Sequence, residues 1–185
     1  SMTCVDSGGH YTQEVYAACR ARFTKRVFAI KGKGGPDIPF VGLPTKVALK
    51  DNKRITCYLY TIGVDAGKSK IMDSLKVQEP GANYSHFPRG ERGYDSAYFT
   101  GLLSEKLVLS HTGRGDRWVW VKLPGHQRNE ALDCRNYANA ALRIIDPDMD
   151  AIERRLKGNI EQPKAVVKQK QARTRRSRYL DGDDW

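Results

Sequence analysis

Residues 3–30 constrain the fold more strongly than any other part of the chain. A short strand, Thr3 to Asp6, runs into Ser7-Gly8-Gly9, and a helix with apolar residues at helical spacing follows, with Thr12 as its predicted N-cap. A second apolar strand, Val27 to Ile30, comes next. This order predicts a βαβ unit with parallel strands and a right-handed crossover. The chain is therefore predicted to be an α/β protein.

The remaining residues alternate between loops and regular segments. Residues 31–46 are rich in Gly, Pro and Lys and predict a long loop, which is often functional inside a domain. The pattern then predicts a strand over Ile55–Val64 that ends at Asp65, a helix over Lys68–Leu75, and an irregular stretch over 79–93 with one short strand around Tyr84–Phe87. It next predicts a helix over 94–104 and a hairpin of Leu107–Ser110 and Trp118–Lys122. A long helix over Asn129–Ile145 and a short helix over 149–157 follow.

Positive charge is concentrated near the C-terminus. The net charge is +11, but residues 164–178 carry seven Lys and Arg residues and no acid. The rest of the chain is only mildly basic, so charge alone does not establish a nucleic-acid partner. We expect a folded domain over residues 1–157 and a basic tail over residues 158–185. No apolar run approaches the ~20 residues that span a bilayer, so we expect no membrane partner.

The four cysteines show no metal-binding spacing. They are Cys4, Cys19, Cys57 and Cys134, and none forms a CxxC pair. Each lies among apolar neighbours in a predicted strand or helix. We therefore expect buried, reduced thiols in preference to a zinc site or disulfides.

Three acids are candidate metal ligands because of where they fall. Asp6 and Asp65 each end a predicted strand, and ligands usually bind beyond the carboxyl ends of parallel strands. Asp133 lies one turn into the long helix, next to apolar residues, where an uncompensated charge is costly. Mg²⁺ and Mn²⁺ prefer oxygen ligands, and Asp6 and Asp133 can share a cation if the long helix packs beside the first strand. The competing interpretation is that each acid only caps a turn or a helix.

Five basic residues are candidate contacts for a phosphate backbone. They fall on predicted loops or element ends near the same edge: Lys31, Lys33, Lys68, Lys122 and Arg128. Ordinary solvated side chains are an equal alternative for each of them. Ser7-Gly8-Gly9 before a helix is a weak signal for phosphate binding, since it matches neither common glycine motif.

Several segments together resemble the lambda-type terminase large subunit family of tailed phages. The resemblance covers roughly residues 3–145, and its blocks agree in order and spacing. They are Val5-Asp6-Ser7-Gly8-Gly9 with Thr12-Gln13-Glu14-Val15-Tyr16, then Phe28-Ala29-Ile30-Lys31-Gly32, Ile62-Gly63-Val64-Asp65-Ala66-Gly67-Lys68, His86-Phe87-Pro88, and Asn129-Glu130-Ala131-Leu132-Asp133-Cys134 with Tyr137-Ala138.

The resemblance implies an RNase H-like nuclease fold that uses two Mg²⁺ or Mn²⁺ ions to cut double-stranded DNA concatemers during genome packaging. It implies that Asp6 and Asp133 are metal ligands and that Asp65 lies near the catalytic site. The implied partners are double-stranded DNA, the terminase small subunit, and the capsid portal through the C-terminal tail. The implied location is the cytoplasm of the bacterial host, for a phage or prophage protein.

The sequence departs from the family pattern at one point. The family carries a further acid on a central strand, in a Gly-x-Asp-x-Gln context, ahead of the segment that matches Val5-Asp6, and nothing here matches it. The packaging ATPase motifs are absent as well. We therefore expect the second half of the nuclease fold, with its natural C-terminus, and weak cleavage or none. A non-catalytic module that binds DNA or the portal is one alternative. A different RNase H-like enzyme, such as a resolvase or transposase, is another.

Overall fold

The computed structural model describes residues 1–90, 92–113, 115–125 and 128–158. Residues 1–147 form one compact unit, and a second unit begins at Asp148. The strands are β1 (Thr3–Asp6), β2 (Val27–Lys33), β3 (Thr45–Ala48), β4 (Thr56–Gly63), β5 (Glu105–Thr112) and β6 (Gly115–Lys122), and the helices are α1 (Thr12–Ala21), α2 (Val64–Lys76), α3 (Ser96–Leu102), α4 (Glu130–Ile145) and α5 (Met149–Leu156). Among the described residues, no helix has both the length and the apolar character needed to cross a bilayer.

The main sheet has the strand order β1-β2-β4-β3. The strands β1, β2 and β4 are parallel, so the predicted βαβ unit is confirmed, with Asp6 paired to Ile30. β3 runs antiparallel to β4 and closes one edge. The long loop is shorter than predicted, because β2 continues to Lys33 and β3 begins at Thr45.

Side chains that alternate along the strands build a core on both faces of the sheet. Ala29 and Leu59 pack with Tyr16 and Cys19 of α1 on one face. Ile30 and Ile62 pack with Ala140 of α4 on the other face. Helices therefore cover both faces of a mostly parallel sheet, as the α/β prediction requires. α2, α3 and α4 pack together around a further buried cluster.

The boundary between β4 and α2 differs from the prediction. β4 ends at Gly63 and α2 begins at Val64, so Asp65 lies in the first turn of the helix and not after the strand. The change of direction falls at Gly63 because the chain is crowded there. A Cβ atom on Gly63 would lie 2.6 Å from the carbonyl oxygens of Ile38 and Pro39.

The second half of the chain largely follows the sequence pattern. β5 and β6 pair antiparallel over residues 105–122, so the hairpin is confirmed with longer strands. The described part of residues 79–93 contains no strand, which corrects that prediction. The buried residues of α4 are Leu132, Asn136 and Ala140, so its buried face includes one polar side chain. Cys134 falls on the exposed side of α4, against the expectation that it is buried.

Candidate active site

Asp6 is held at the end of β1 by the turn that follows it. The Oδ1 atom of Asp6 accepts a hydrogen bond of 2.9 Å from the backbone N–H of Gly8. Ser7 is buried, and its backbone N–H and its hydroxyl both donate to the carbonyl of Ile30 at 2.8 Å. This anchor fixes the direction of the turn, so Asp6 lies at the carboxyl end of β1, beside the part of β2 that continues past Ile30.

The polar groups of the Ser7-Gly8-Gly9 turn bind Asp6 and neighbouring residues of the protein, which does not favour the predicted phosphate site. The Gly8 N–H is already engaged by Asp6, and the Thr12 hydroxyl donates to the carbonyls of Ser7 (2.8 Å) and Gly9 (2.9 Å). Thr12 is therefore not the N-cap of α1 as predicted, because its side chain braces the turn and Tyr11 takes the N-cap position.

Three polar residues at helical spacing on α4 and its N-cap face this turn. Asn129, Asp133 and Tyr137 follow each other at intervals of four residues, so they share one face of the helix. α4 packs against β1, which places the Tyr137 hydroxyl 3.4 Å from Oδ2 of Asp6. Gly32 allows this approach, because a Cβ atom there would lie 3.1 Å from the Tyr137 hydroxyl and 2.9 Å from Val64.

Asp133 also takes part in a closed ring of polar contacts with three other side chains. The Nζ atom of Lys68 lies 2.7 Å from Oε2 of Glu105 and 3.6 Å from Oδ1 of Asp133. The Nδ2 atom of Asn129 donates to Oε1 of Glu105 at 2.7 Å and to Oδ2 of Asp133 at 3.0 Å. The side chains of Lys68 and Glu105 are only 10% and 6% exposed, whereas that of Asp133 is 35% exposed. We call these four residues the polar ring.

Close contact between α2 and α4 brings Lys68 to this position. Gly67 faces Asn136, whose amide donates to the carbonyl of Val64 at 3.1 Å. A Cβ atom on Gly67 would lie 1.8 Å from the Oδ1 atom of Asn136 and 2.5 Å from the ring of Phe40. Glycine is therefore required at residue 67, directly before the lysine that enters the site.

The site concentrates negative charge in partly buried surroundings. Burial raises the pKa of Asp133, and the charges of Glu105 and Asp6 raise it further, while Lys68 opposes them. Burial also raises the pKa of Tyr137, with contributions from Asp6 and Asp133. Asp6 contacts the Tyr137 hydroxyl at 3.4 Å, and Asp133 lies one helical turn before Tyr137 on the same face of α4. Such crowding favours a cation, whose charge compensates the carboxylates.

The site offers two carboxylates to a divalent ion. Among the described residues, no three His, Cys, Asp or Glu side chains converge as a metal-binding group. The side chain of Glu105 is only 6% exposed, whereas Asp6 is exposed and Asp133 is 35% exposed, which leaves Asp6 and Asp133 as the accessible acids. Two carboxylates fit a Mg²⁺ or Mn²⁺ ion that keeps several water molecules and binds substrate phosphate, but not a cage made entirely by protein.

Asp65 makes a different set of contacts. Its Oδ2 atom accepts a 2.8 Å hydrogen bond from the backbone N–H of Gly35. A Cβ atom on Gly34 would lie 3.4 Å from its Oδ1 atom. Asp65 thus holds the loop after β2, whereas Asp6 contacts Tyr137 of α4, one turn from Asp133.

The predicted basic residues do not all lie where the sequence suggested. The prediction that Lys68 lies on a loop or at the end of an element is wrong, because Lys68 lies within α2 and is buried in the polar ring. Lys31 and Lys33 are exposed on the part of β2 that extends beyond its pairing with β1. Lys122 is exposed at the end of β6, and the side chain of Arg128 is 86% exposed, 3.6 Å from Glu130.

Sequence reasoning missed Glu105, Asn129 and Tyr137 as site residues. The spacing of Asn129, Asp133 and Tyr137 could have revealed a polar face on α4. Lys68 also shares a helical face with the buried Ile71, which marks it as an inward-pointing lysine. Glu105 gives no comparable signal, since only the position of the hairpin base relative to α2 and α4 brings it into the site.

Comparison with known proteins identifies a family for this chain. A sequence profile described as Terminase large subunit gpA, endonuclease domain, matches residues 1–155. The chain is 28% identical over 188 residues to the terminase large subunit of Escherichia phage lambda, covering 100% of this chain and 28% of that protein. It is 29% identical over 149 residues to the terminase large subunit of Enterobacteria phage P21, covering 78% of this chain and 22% of that protein.

The chain thus spans about a quarter of the length of these two relatives. No solved structure matches it significantly. The family profile covers nearly every described residue, including Asp6, Lys68, Glu105 and Asp133. The chain belongs to the family of terminase large subunit endonuclease domains.

Proposed function

We propose that this chain is the metal-dependent endonuclease part of a phage DNA-packaging terminase, which cuts double-stranded DNA concatemers. The observation that supports this most directly is the contact of Asp6 at the end of β1 with Tyr137 of α4, because Asp133 lies one turn before Tyr137 on the same helix face. Two acids from separate elements at the carboxyl edge of a parallel sheet suit metal-assisted phosphodiester cleavage. On this proposal the parallel strands belong to an RNase H-like fold.

Asp6 and Asp133 would hold Mg²⁺ or Mn²⁺ in this site. Such ions activate water and stabilise the leaving oxygen when DNA is hydrolysed. The protein keeps Asp6 oriented, since the Gly8 N–H and the Tyr137 hydroxyl each engage one oxygen of its carboxylate. Exposed Lys31, Lys33, Lys122 and Arg128 contact the phosphate backbone and position the duplex.

The wider assembly follows from the same proposal. Residues 1–157 act as the nuclease domain, and residues 158–185 dock on the capsid portal. That tail lies outside the described residues. The terminase small subunit is the second protein partner, and the host cytoplasm is the place of action.

Calorimetric titration with Mn²⁺ tests the metal site. We expect binding by the wild-type chain and by Asp73→Asn, and none by Asp6→Asn or Asp133→Asn. Asp73 is a matched control because it is an exposed acid on α2 that pairs with Lys76 at 2.9 Å. Equal Mn²⁺ binding by the wild-type chain and Asp133→Asn would contradict the proposal.

Cleavage is tested with supercoiled plasmid in Mg²⁺ or Mn²⁺. We expect slow nicking that Asp133→Asn abolishes, since no three metal-binding side chains converge among the described residues. The second candidate function is a non-catalytic module that binds DNA or the portal. The observation that favours it is the Lys68 ammonium, which already compensates one side of Asp133. DNA binding without nicking, unchanged by Mn²⁺, would support that alternative.

A further inference from the structure

The polar ring is more elaborate than a stabilising contact requires. It joins three elements that are distant in sequence: Lys68 comes from α2, Glu105 from the base of the hairpin, and Asn129 and Asp133 from the start of α4. Every oxygen of the two carboxylates has a partner within the ring. Buried ion pairs contribute little net stability compared with apolar replacements, so stability alone does not explain its presence.

We propose that Lys68, Glu105 and Asn129 are positioning residues that orient the Asp133 carboxylate towards Asp6 for cation binding. This inference rests on the proposed metal site. Lys68 approaches Oδ1 of Asp133 and Asn129 donates to Oδ2, so the plane of the carboxylate is fixed from two sides. Each carboxylate oxygen has two lone pairs, so both oxygens keep one for a cation.

Glu105 completes the ring without taking part in cation binding. It holds Lys68 at 2.7 Å and Asn129 at 2.7 Å, and it thereby sets the positions of the two groups that touch Asp133. Its side chain is 6% exposed, so it is much less accessible to a cation from solvent than Asp133, which is 35% exposed. Hydrogen-bond partners of metal ligands orient those ligands in this way, and their loss typically weakens metal binding about 10- to 100-fold.

The decisive variant is Lys68→Met/Glu105→Met. It removes one positive and one negative charge and keeps apolar bulk in both places, so the domain should fold. The positive charge is the direct neighbour of Asp133, at 3.6 Å. Electrostatics alone would therefore leave Mn²⁺ affinity unchanged or increase it. A loss of affinity reports the orientation of Asp133.

Asn129→Ala provides a second variant that leaves the buried ion pair in place. Asn139→Ala is its matched control, because it changes the same residue type on the same helix, about 120° away from Asp133 around the helix axis. We expect Mn²⁺ affinity measured by calorimetry to fall about 10-fold or more in the double variant and in Asn129→Ala. We expect the wild-type affinity in Asn139→Ala and in Lys76→Met, which alters an exposed lysine of α2.

The ring itself is measured without metal by NMR of the Asn129 side-chain amide, assigned through Asn129→Ala. Its resonances should move in Lys68→Met/Glu105→Met and stay in place in Lys76→Met; unmoved resonances would show that no ring exists. If the wild-type chain and both ring variants bind Mn²⁺ equally, the positioning role is wrong and the metal site stands. If the wild-type chain binds no Mn²⁺, with or without DNA, the proposed function and this inference fail together.

Discussion

Removing Lys68 alone should destabilise the domain strongly. In Lys68→Met the thioether side chain replaces the buried aliphatic stem, but Glu105 keeps its charge with a side chain that is 6% exposed. Breaking a buried ion pair from one side costs about 3–5 kcal/mol, because the remaining charge is desolvated and uncompensated. With a urea dependence of about 2 kcal/mol per molar, the unfolding midpoint should fall by roughly 2 M.

Two variants make this prediction specific. Lys76→Met breaks an exposed ion pair, since the side chains of Lys76 and Asp73 are 76% and 71% exposed. The loss in the free energy of unfolding should therefore stay below about 1 kcal/mol. Lys68→Met/Glu105→Met removes both buried charges and should recover most of the lost stability. The reasoning is refuted if urea unfolding shows Lys68→Met to be as stable as Lys76→Met, or the double variant to be less stable than Lys68→Met.

Three further predictions follow from particular contacts. Gly67→Ala should lower the free energy of unfolding by more than about 2 kcal/mol, because its Cβ atom would lie 1.8 Å from Asn136. The control is Gly81→Ala, because nothing lies within 4 Å of a Cβ atom at that position. Equal melting temperatures for the two variants would contradict the prediction. The raised pKa of Asp133 means that its ionised form destabilises the metal-free fold, so Asp133→Asn should have a higher free energy of unfolding than the wild-type chain at neutral pH. This difference in free energy should vanish as the pH falls through the raised pKa towards the ordinary one. Urea unfolding across pH measures this, and an advantage that grows towards low pH would show the sign to be wrong. A disulfide reagent at neutral pH should label Cys134 quickly, because this thiol is exposed. The other three thiols should react slowly, because burial raises the pKa of Cys4 and of Cys19 to about 11 and also raises that of Cys57. Fast labelling that survives Cys134→Ser would refute this.

The sequence predicted the half of the site that depends on strand order. A strand ending in Asp6 before glycines, followed by a helix and a second strand, fixes where that carboxylate lies because parallel strands end at one edge. Asp133 was predictable for a similar reason, since its place near the start of a long helix follows from helical periodicity. Both predictions use local patterns and the rules that connect neighbouring elements.

The sequence did not predict the residues whose positions depend on tertiary contacts. Lys68 resembles a surface lysine at a helix start, and only the glycine at residue 67 lets α2 approach α4 closely enough to bury it. Glu105 begins a strand and shows no pattern of its own. Asp65 was predicted to end β4, but it lies in the first turn of α2, where its carboxylate accepts a hydrogen bond from the loop after β2.

These contacts explain how a partly buried acid stays available for a cation without unfolding the domain. An isolated carboxylate at residue 133 would have to be exposed or protonated, since burial raises its pKa. The Lys68 ammonium and the Asn129 amide stabilise the charge of Asp133, and Glu105 in turn compensates the charge of Lys68. The net effect leaves the pKa of Asp133 still raised, so the charge is compensated only in part. A carboxylate that remains under-compensated gains more from a divalent cation than a fully paired one does, and this is the property that the proposed site requires.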